Sequence, residues 1–269
     1  MLRILAATLF LIAVSASAMA QGNPAIDTNS MKTIAHLKDF QVIELRRYTI
    51  KKGEREHFAQ YFDTYFPEVL EQLGTIIFGE FFERKNPSAF TWIRGFHSMD
   101  DRAIANAVFY YGPVWKEHKS TMNNLLIDSD NVLLLRPLTP ERGLIILPAV
   151  DPITEVNDAR GIAVAQIFAV QSNSVEEFAK EAEATFASYP QLPIRTDGPY
   201  LVWLGILKDN QMLKNEFTPL AERSLPALSA TGLIRGTPEL VVLDPTHRSR
   251  LRWFPRNSAY EPPLVGAAR

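Results

Sequence analysis

The chain of 269 residues contains no cysteine. Disulfides, thiol nucleophiles, cysteine-linked lipids and sulfur-ligated metals are therefore excluded, and stability has to come from packing. After the N-terminal segment no apolar run is long enough to span a bilayer. An excess of charge of one sign is also missing. Against 28 Lys and Arg stand 30 Asp and Glu, a formal net charge of −2. That balance gives no footprint for nucleic acid or for an anionic membrane surface. No Ser-His-Asp order, glycine-rich phosphate loop or nucleophile elbow is visible. The histidines are His36, His57, His97, His118 and His247. They form no His-x-x-x-His or His-x-x-Glu pair, so no metal site is expected.

What the chain does have starts with an export pattern. Arg3 is a short positive region, Ile4 to Val14 is almost unbroken apolar sequence, and Ala18-Met-Ala20 is a small-x-small cleavage pattern before Gln21. Residues 1–20 read as a signal peptide, the apolar run being about half the length of a membrane span. The expected location is secreted or periplasmic, with no stable membrane insertion after cleavage. The remaining chain has 249 residues and, with Arg3 gone, a formal charge of −3. The full chain is 46% hydrophobic, and what remains after cleavage is long enough to build a sizeable core.

The rest says nearly the same thing twice. Val42-Ile-Glu-Leu-Arg-Arg-Tyr48 reads against Ile162-Ala-Val-Ala-Gln-Ile-Phe168, Trp92-Ile-Arg-Gly-Phe96 against Trp203-Leu-Gly-Ile-Leu207, and Leu135-Arg-Pro137 against Leu243-Asp-Pro245. The pairs keep their order, so one unit is repeated. A tether (21–39) precedes the first unit (40–138). A linker (139–159) holding Pro140, Pro148 and Pro152 leads to the second unit (160–256), and a tail (257–269) closes the chain.

Each unit reads β-α-β-β-α-β. In the first, a strand over Val42–Ile50 precedes a helix from about Glu54 to Leu73, whose stripe is Phe58, Phe62, Tyr65, Phe66, Val69, Leu70 and Leu73. Strands are expected near Thr75–Arg84 and Phe90–His97, joined by the turn residues Lys85-Asn-Pro-Ser88. Ser98 opens a second helix that Gly112-Pro113 must break before it resumes over Val114–Ile127. Asn131–Pro137 is the last strand. In the second unit, strands are expected at Gly161–Val170, near Leu192–Arg195, at Tyr200–Leu207 and at Glu239–Asp244. A helix follows Ser174, and another spans Asn210–Thr231 with distortion at Pro219 and Pro226. The fold class is α+β: two ferredoxin-like units whose bare sheet faces bury each other, a dimeric α/β barrel within one chain.

The ordered set Glu44-Leu-Arg46-x-Tyr48, Trp92-x-Arg94-x-Phe96, Arg102 and Phe109-Tyr-Tyr-Gly-Pro-Val-Trp115 resembles the NIPSNAP family. So does the close of the second unit, Leu243-Asp-Pro-Thr-His-Arg-Ser249, with Leu251-Arg252 beyond it. The resemblance implies ferredoxin-like units paired as a dimeric α/β barrel, and it brings no settled activity. Better-known members are linked to mitochondria and vesicle traffic, a setting from which a signal peptide departs.

At matched positions the first unit has Glu44, Arg46, Tyr48 and Arg94, and the second has Val164, Gln166, Phe168 and Gly205. The polar set survives once, so one site is expected, in the first unit. Alternation puts Glu44, Arg46 and Tyr48 on one face of their strand, and Trp92, Arg94 and Phe96 on one face of theirs. The aliphatic faces, with Ile43, Leu45 and Ile93, suit the helices, which directs the polar set into the barrel. Two guanidiniums and one carboxylate leave a net positive, aromatic-lined pocket for a carboxylate or phosphate, with Tyr110 and Tyr111 at its mouth. The competing reading is a Glu–Arg network that fixes strand register.

The ligand-binding candidates are thus Glu44, Arg46, Tyr48, Trp92, Arg94, Tyr110 and Tyr111. No catalytic residue is assigned and no cofactor is required. Three functions remain open. One is an exported protein binding a small polar or anionic organic ligand. A second is a small-molecule enzyme of the monooxygenase-like barrel kind, cofactor-free or haem-dependent, His118 being the candidate axial ligand. The third is a non-catalytic assembly module, whose mark would be a filled barrel interior. A homo-oligomer fits any of the three. Intact-mass measurement on exported protein should show a chain beginning at Gln21; a retained N-terminus would remove the export argument.

Overall fold

The computed structural model describes residues 39–139, 143–144, 153–155, 158–183, 188–190 and 199–253. The signal peptide, nearly all of the tether, much of the linker, the strand expected near Leu192–Arg195 and the tail lie outside the described residues. Within the first unit the elements are β1 (Val42–Ile50), α1 (Arg55–Tyr65), α2 (Pro67–Gln72), β2 (Ile76–Glu83), β3 (Ala89–Phe96), α3 (Met99–Tyr111), α4 (Pro113–Leu125), β4 (Leu126–Asp128) and β5 (Val132–Leu135). In the second they are β6 (Ile162–Val170), α5 (Val175–Glu183), β7 (Ser188–Pro190), β8 (Tyr200–Leu207), α6 (Asn210–Met212), α7 (Thr218–Ala230) and β9 (Ile234–Pro245). A π-helical turn, Leu213–Phe217, joins α6 to α7 just before Pro219.

Several boundaries depart from the expectation for identifiable reasons. The single helix expected over 54–73 is two, because Pro67 has no N–H to give to the carbonyl of Asp63 and starts α2 instead. Ser98 does cap α3, its hydroxyl accepting from the Asp101 N–H at 3.1 Å. Gly112-Pro113 separates α3 from α4 as expected. The end of the resumed helix is instead β4, which pairs with Thr49 and Ile50 of β1.

The strands form one mixed-length antiparallel sheet ordered β4-β1-β3-β2-β9-β6-β8-β7, with β5 also on β1. Each unit therefore has the 4-1-3-2 ferredoxin-like order, and β2 of the first meets β9 of the second. Their seam pairs Phe81 with Pro245 and Glu83 with Leu243. Arg84 forks onto Asp244 across it, and Arg47 bridges Glu83 and Glu239.

The sheet curls so that its inner face buries itself. Ile43, Leu45, Phe78, Phe81 and Ile93 from the first unit pack with Ala163, Ala165, Ile167, Val202, Val241 and Leu243 from the second. This overturns the facing read from alternation. The aliphatic residues Ile43, Leu45 and Ile93 fill the barrel, and Tyr48, Trp92 and Phe96 lie on the opposite, helix-covered face. Glu44, Arg46 and Arg94 go with them, since alternation holds in both strands. The helix side is the aromatic side because α1 presents Phe58 and Phe62, which pack on Tyr48, Phe90 and Trp92, while Phe66 between α1 and α2 packs on Phe62 and Phe109.

Each fully buried Leu or Phe inside the barrel is worth roughly 1.5–3 kcal/mol. A fragment of residues 40–138 would expose Ile43, Leu45, Phe78, Phe81 and Ile93 together. Sedimentation should find it as a homodimer or an aggregate, and a stable soluble monomer would contradict the mutual burial of the two sheets.

Candidate functional site

The sequence-derived residues meet on the outer face of β1 and β3, beneath α3. Glu44 and Arg94 are cross-strand partners, as are Arg46 and Trp92, so the register alone brings four of them together. The Glu44 carboxylate, fully buried, accepts from Arg46 Nη1, Arg94 Nε and Arg102 Nε, each at 2.6 Å. Arg46 Nε donates to the Tyr48 hydroxyl at 2.8 Å, and Arg94 Nη2 to Asn106 Oδ1 at 3.0 Å. Two cations lie against the Trp92 ring, Arg46 at 5.5 Å and Arg94 at 5.1 Å from its centre. Its own indole N–H is buried with no hydrogen-bond partner among the described residues.

Tyr110 is half-exposed at the end of α3, near enough to Arg46 for its hydroxyl to act on that charge. It stands edge-on to Trp115 at 5.3 Å. Tyr111, 79% exposed, points to solvent and is not part of the cluster. Arg102 and Asn106 were missed as site residues. A signal was available: Ser98 fixes the start of α3 directly after β3, and Arg102 and Asn106 then recur one turn apart, on the flank over Arg94.

Burial pushes the Glu44 carboxyl up, but the charges of Arg94, Arg46 and Arg102 and the Arg94 hydrogen bond outweigh it and hold it at about 2. Burial works against the Arg46 charge too, and Tyr48 and Glu44 more than restore it. Tyr48 is pushed up by burial, so its hydroxyl stays neutral and can accept from Arg46. The cluster is three guanidiniums on one carboxylate. Its second-unit counterpart is apolar: Val164 belongs to the helix-side core there, and Gln166 donates to the Glu239 carbonyl.

His118, the candidate haem ligand, shares a 2.7 Å hydrogen bond between Nδ1 and the Tyr61 hydroxyl and stacks on Tyr65 at 4.0 Å. Among the described residues no group of three His, Asp or Glu side chains is arranged to hold a metal ion, and no helix is long and apolar enough to cross a membrane.

The NIPSNAP family model matches residues 43–140, which carry this cluster. The match is to the first unit alone. Solved NIPSNAP structures align to one unit: a family protein from Agrobacterium tumefaciens str. C58, 22% identical, covers 38% of this chain and 94% of its own, with a TM-score of 0.35. The double unit has its own likeness. An anthrone oxidase-like protein, 10% identical, covers 81% of this chain and 98% of its own, with a TM-score of 0.50. A candidate monooxygenase from Lactobacillus acidophilus NCFM is 11% identical over 77% of this chain and 94% of its own, at 0.48. At these identities the likeness is one of fold. No curated protein matches the chain.

Glu44 titrates at about 2 in the folded protein against an ordinary value of 4.5. Its stabilisation is therefore complete above the unfolded value and is lost as pH falls toward the folded one. This contribution is about 3 kcal/mol. Urea unfolding over that acid range should show the loss, and Glu44→Gln should lack the slope while costing about 3–5 kcal/mol at neutral pH. A wild-type stability that stays flat on acidification would contradict the assignment.

Proposed function

We propose that the protein is an exported binder of a small organic anion, held by the arginine cluster of its NIPSNAP domain. The observation that carries this reading is the charge count. Three guanidiniums converge on the single carboxylate of Glu44, leaving an excess of two positive charges on side chains that are three-quarters or more buried. Excess buried charge is costly unless an anion shares it.

The orphaned indole N–H of Trp92, beside Arg46 and Arg94, also needs an acceptor. The approach runs past Arg102 and Arg46, whose side chains are the more exposed of the three at 25% and 11%, with Tyr110 beside them. The filled barrel interior taken alone would favour an assembly module, and it removes the inside of the barrel as a ligand site. The ligand reading rests on the helix side only. Arginine forks suit a carboxylate or phosphate, and the aromatic rings suit an apolar body attached to it. An enzyme of the monooxygenase-like barrel kind would share this fold, and the fold by itself brings no chemistry.

Sodium malonate, titrated at constant ionic strength, is a simple probe. It should raise the melting temperature of the wild-type protein by binding the folded state. Arg102→Gln, at the exposed edge, should keep the fold and lose that rise. Arg46→Gln copies Gln166 of the second unit and should weaken malonate about thirtyfold, the loss of roughly 2 kcal/mol expected for a charge-assisted contact. If malonate leaves the wild type unmoved and Arg46→Gln merely melts early, the cluster is a structural network and the ligand reading fails.

A further inference from the structure

A second set of buried polar groups lies about the junction of the two units and is used by nothing described above. Residues 246–251 continue past β9 along β2, with the Thr246 N–H on the Glu80 carbonyl and the Leu251 N–H on the Phe78 carbonyl, both at 2.9 Å. Gly79 permits that approach, since a Cβ there would lie 2.6 Å from Ser249 Oγ. Beside it β2 carries a bulge: Ile77 pairs with Arg94 and Gly79 with Ile93, leaving Phe78 extra. The bulge shifts the alternation, so Glu80 turns to the helix side, where strict alternation from Ile77 would have sent it into the barrel.

There Glu80 meets Asp63 of α1. The two side chains are 1–2% exposed and in hydrogen-bonding contact with each other. Burial pushes both carboxyls up, and the Asp63 charge pushes Glu80 further, so of the two Glu80 keeps its proton more firmly. Asp63 Oδ1 and Glu80 Oε2 have no other partner among the described residues.

The surroundings hold Asp63 in place without neutralising it. Pro67 leaves the Asp63 carbonyl without its helical donor, and Arg248 Nη1 supplies one at 2.6 Å. The Arg248 charge is in turn taken by the Glu68 carboxylate. His247 Nε2 stands 3.9 Å from Asp63 Oδ2. By formal charge the carboxylates of Asp63 and Glu68 outnumber the guanidinium of Arg248 here. Asp63 lines a cleft of about 480 Å³ whose other walls include Tyr65, Val69, Val114 and His118 together with the ion-paired Glu68 and Arg248. The Tyr65 ring lies stacked on His118.

We propose that this cleft binds a small organic ammonium ion with an apolar body, its charged nitrogen on Asp63. A buried carboxylate, an aromatic face and aliphatic walls are the elements that recognise such a cation. This site is independent of the arginine cluster, whose ligand has the opposite charge.

Benzylamine is the probe, with benzyl alcohol as its uncharged counterpart, titrated calorimetrically into the full chain. The wild type should bind benzylamine and not benzyl alcohol. Asp63→Asn should weaken benzylamine about tenfold or more, the loss expected of a charge-assisted contact. Because a buried carboxyl variant can fail to fold, Val114→Trp serves as a second: it fills the cleft from a half-buried position and should abolish binding.

Glu80→Gln still donates to Asp63 and, like the protonated Glu80, carries no charge, so it should keep benzylamine affinity and its pH dependence close to those of the wild type. His247, Arg248 and Glu68 face Asp63 in both proteins. No benzylamine binding by the wild type, equal binding of benzyl alcohol, unchanged affinity in Val114→Trp, or loss of benzylamine binding in a folded Glu80→Gln would each overturn the proposal.

Discussion

Everything else in this molecule depends on the burial of two sheet faces against each other. Neither ferredoxin-like unit can leave its inner face in water, and the seam between β2 and β9 holds the two faces in opposition. The inner residues must therefore be apolar in both units. Small side chains on one side, Ala163 and Ala165, admit large ones on the other, Phe78 and Phe81. Once that layer is filled, any polar side chain on a strand has only the helix-covered face to occupy. The arginine cluster lies where it does because the inside of the barrel is taken.

The helix side is able to accept charge because its packing is aromatic rather than aliphatic. Tyr48, Trp92 and Phe96 interleave with Arg46 and Arg94 along β1 and β3, and flat rings cover guanidinium planes without requiring a full set of hydrogen bonds. The second unit meets the same helix-side requirement with Val164, Phe168, Phe178 and Leu201, an ordinary hydrocarbon layer. One architecture thus carries two different outer faces.

The repeat, the order of elements, β1 and the breaks at Gly112-Pro113 were legible because they rest on local chemistry: alternation, a capping serine, a proline without an N–H. Which strand face turns inward was not legible from β1 or β3 alone, since alternation sorts residues into two sets without saying which set meets the helices. The second copy held the answer. Ala163 and Ala165 are small, as close sheet-to-sheet packing needs, and Val164 and Phe168 are the bulkier residues that helices cover. The group at Asp63, Glu80, His247 and Arg248 was out of reach for a different reason. Its members lie on α1, on β2 beyond a bulge, and on the segment after β9, and no spacing rule links them. The pattern Thr246-His-Arg-Ser249 marked the segment as distinctive without saying what it touches.

Arg248 closes a helical hydrogen bond that Pro67 had left open, so a residue of the second copy completes the backbone of the first. A protein assembled from two identical subunits would have to keep that arginine, the proline that calls for it and every charge of the Glu44 cluster in both places at once. Joining the copies in one chain lifts that obligation. Each half is free to accumulate changes that the other never has to tolerate, and the apolar counterpart of Glu44 at Val164 is the trace of that freedom. Duplication here separates the inheritance of the scaffold from the inheritance of what is built on it.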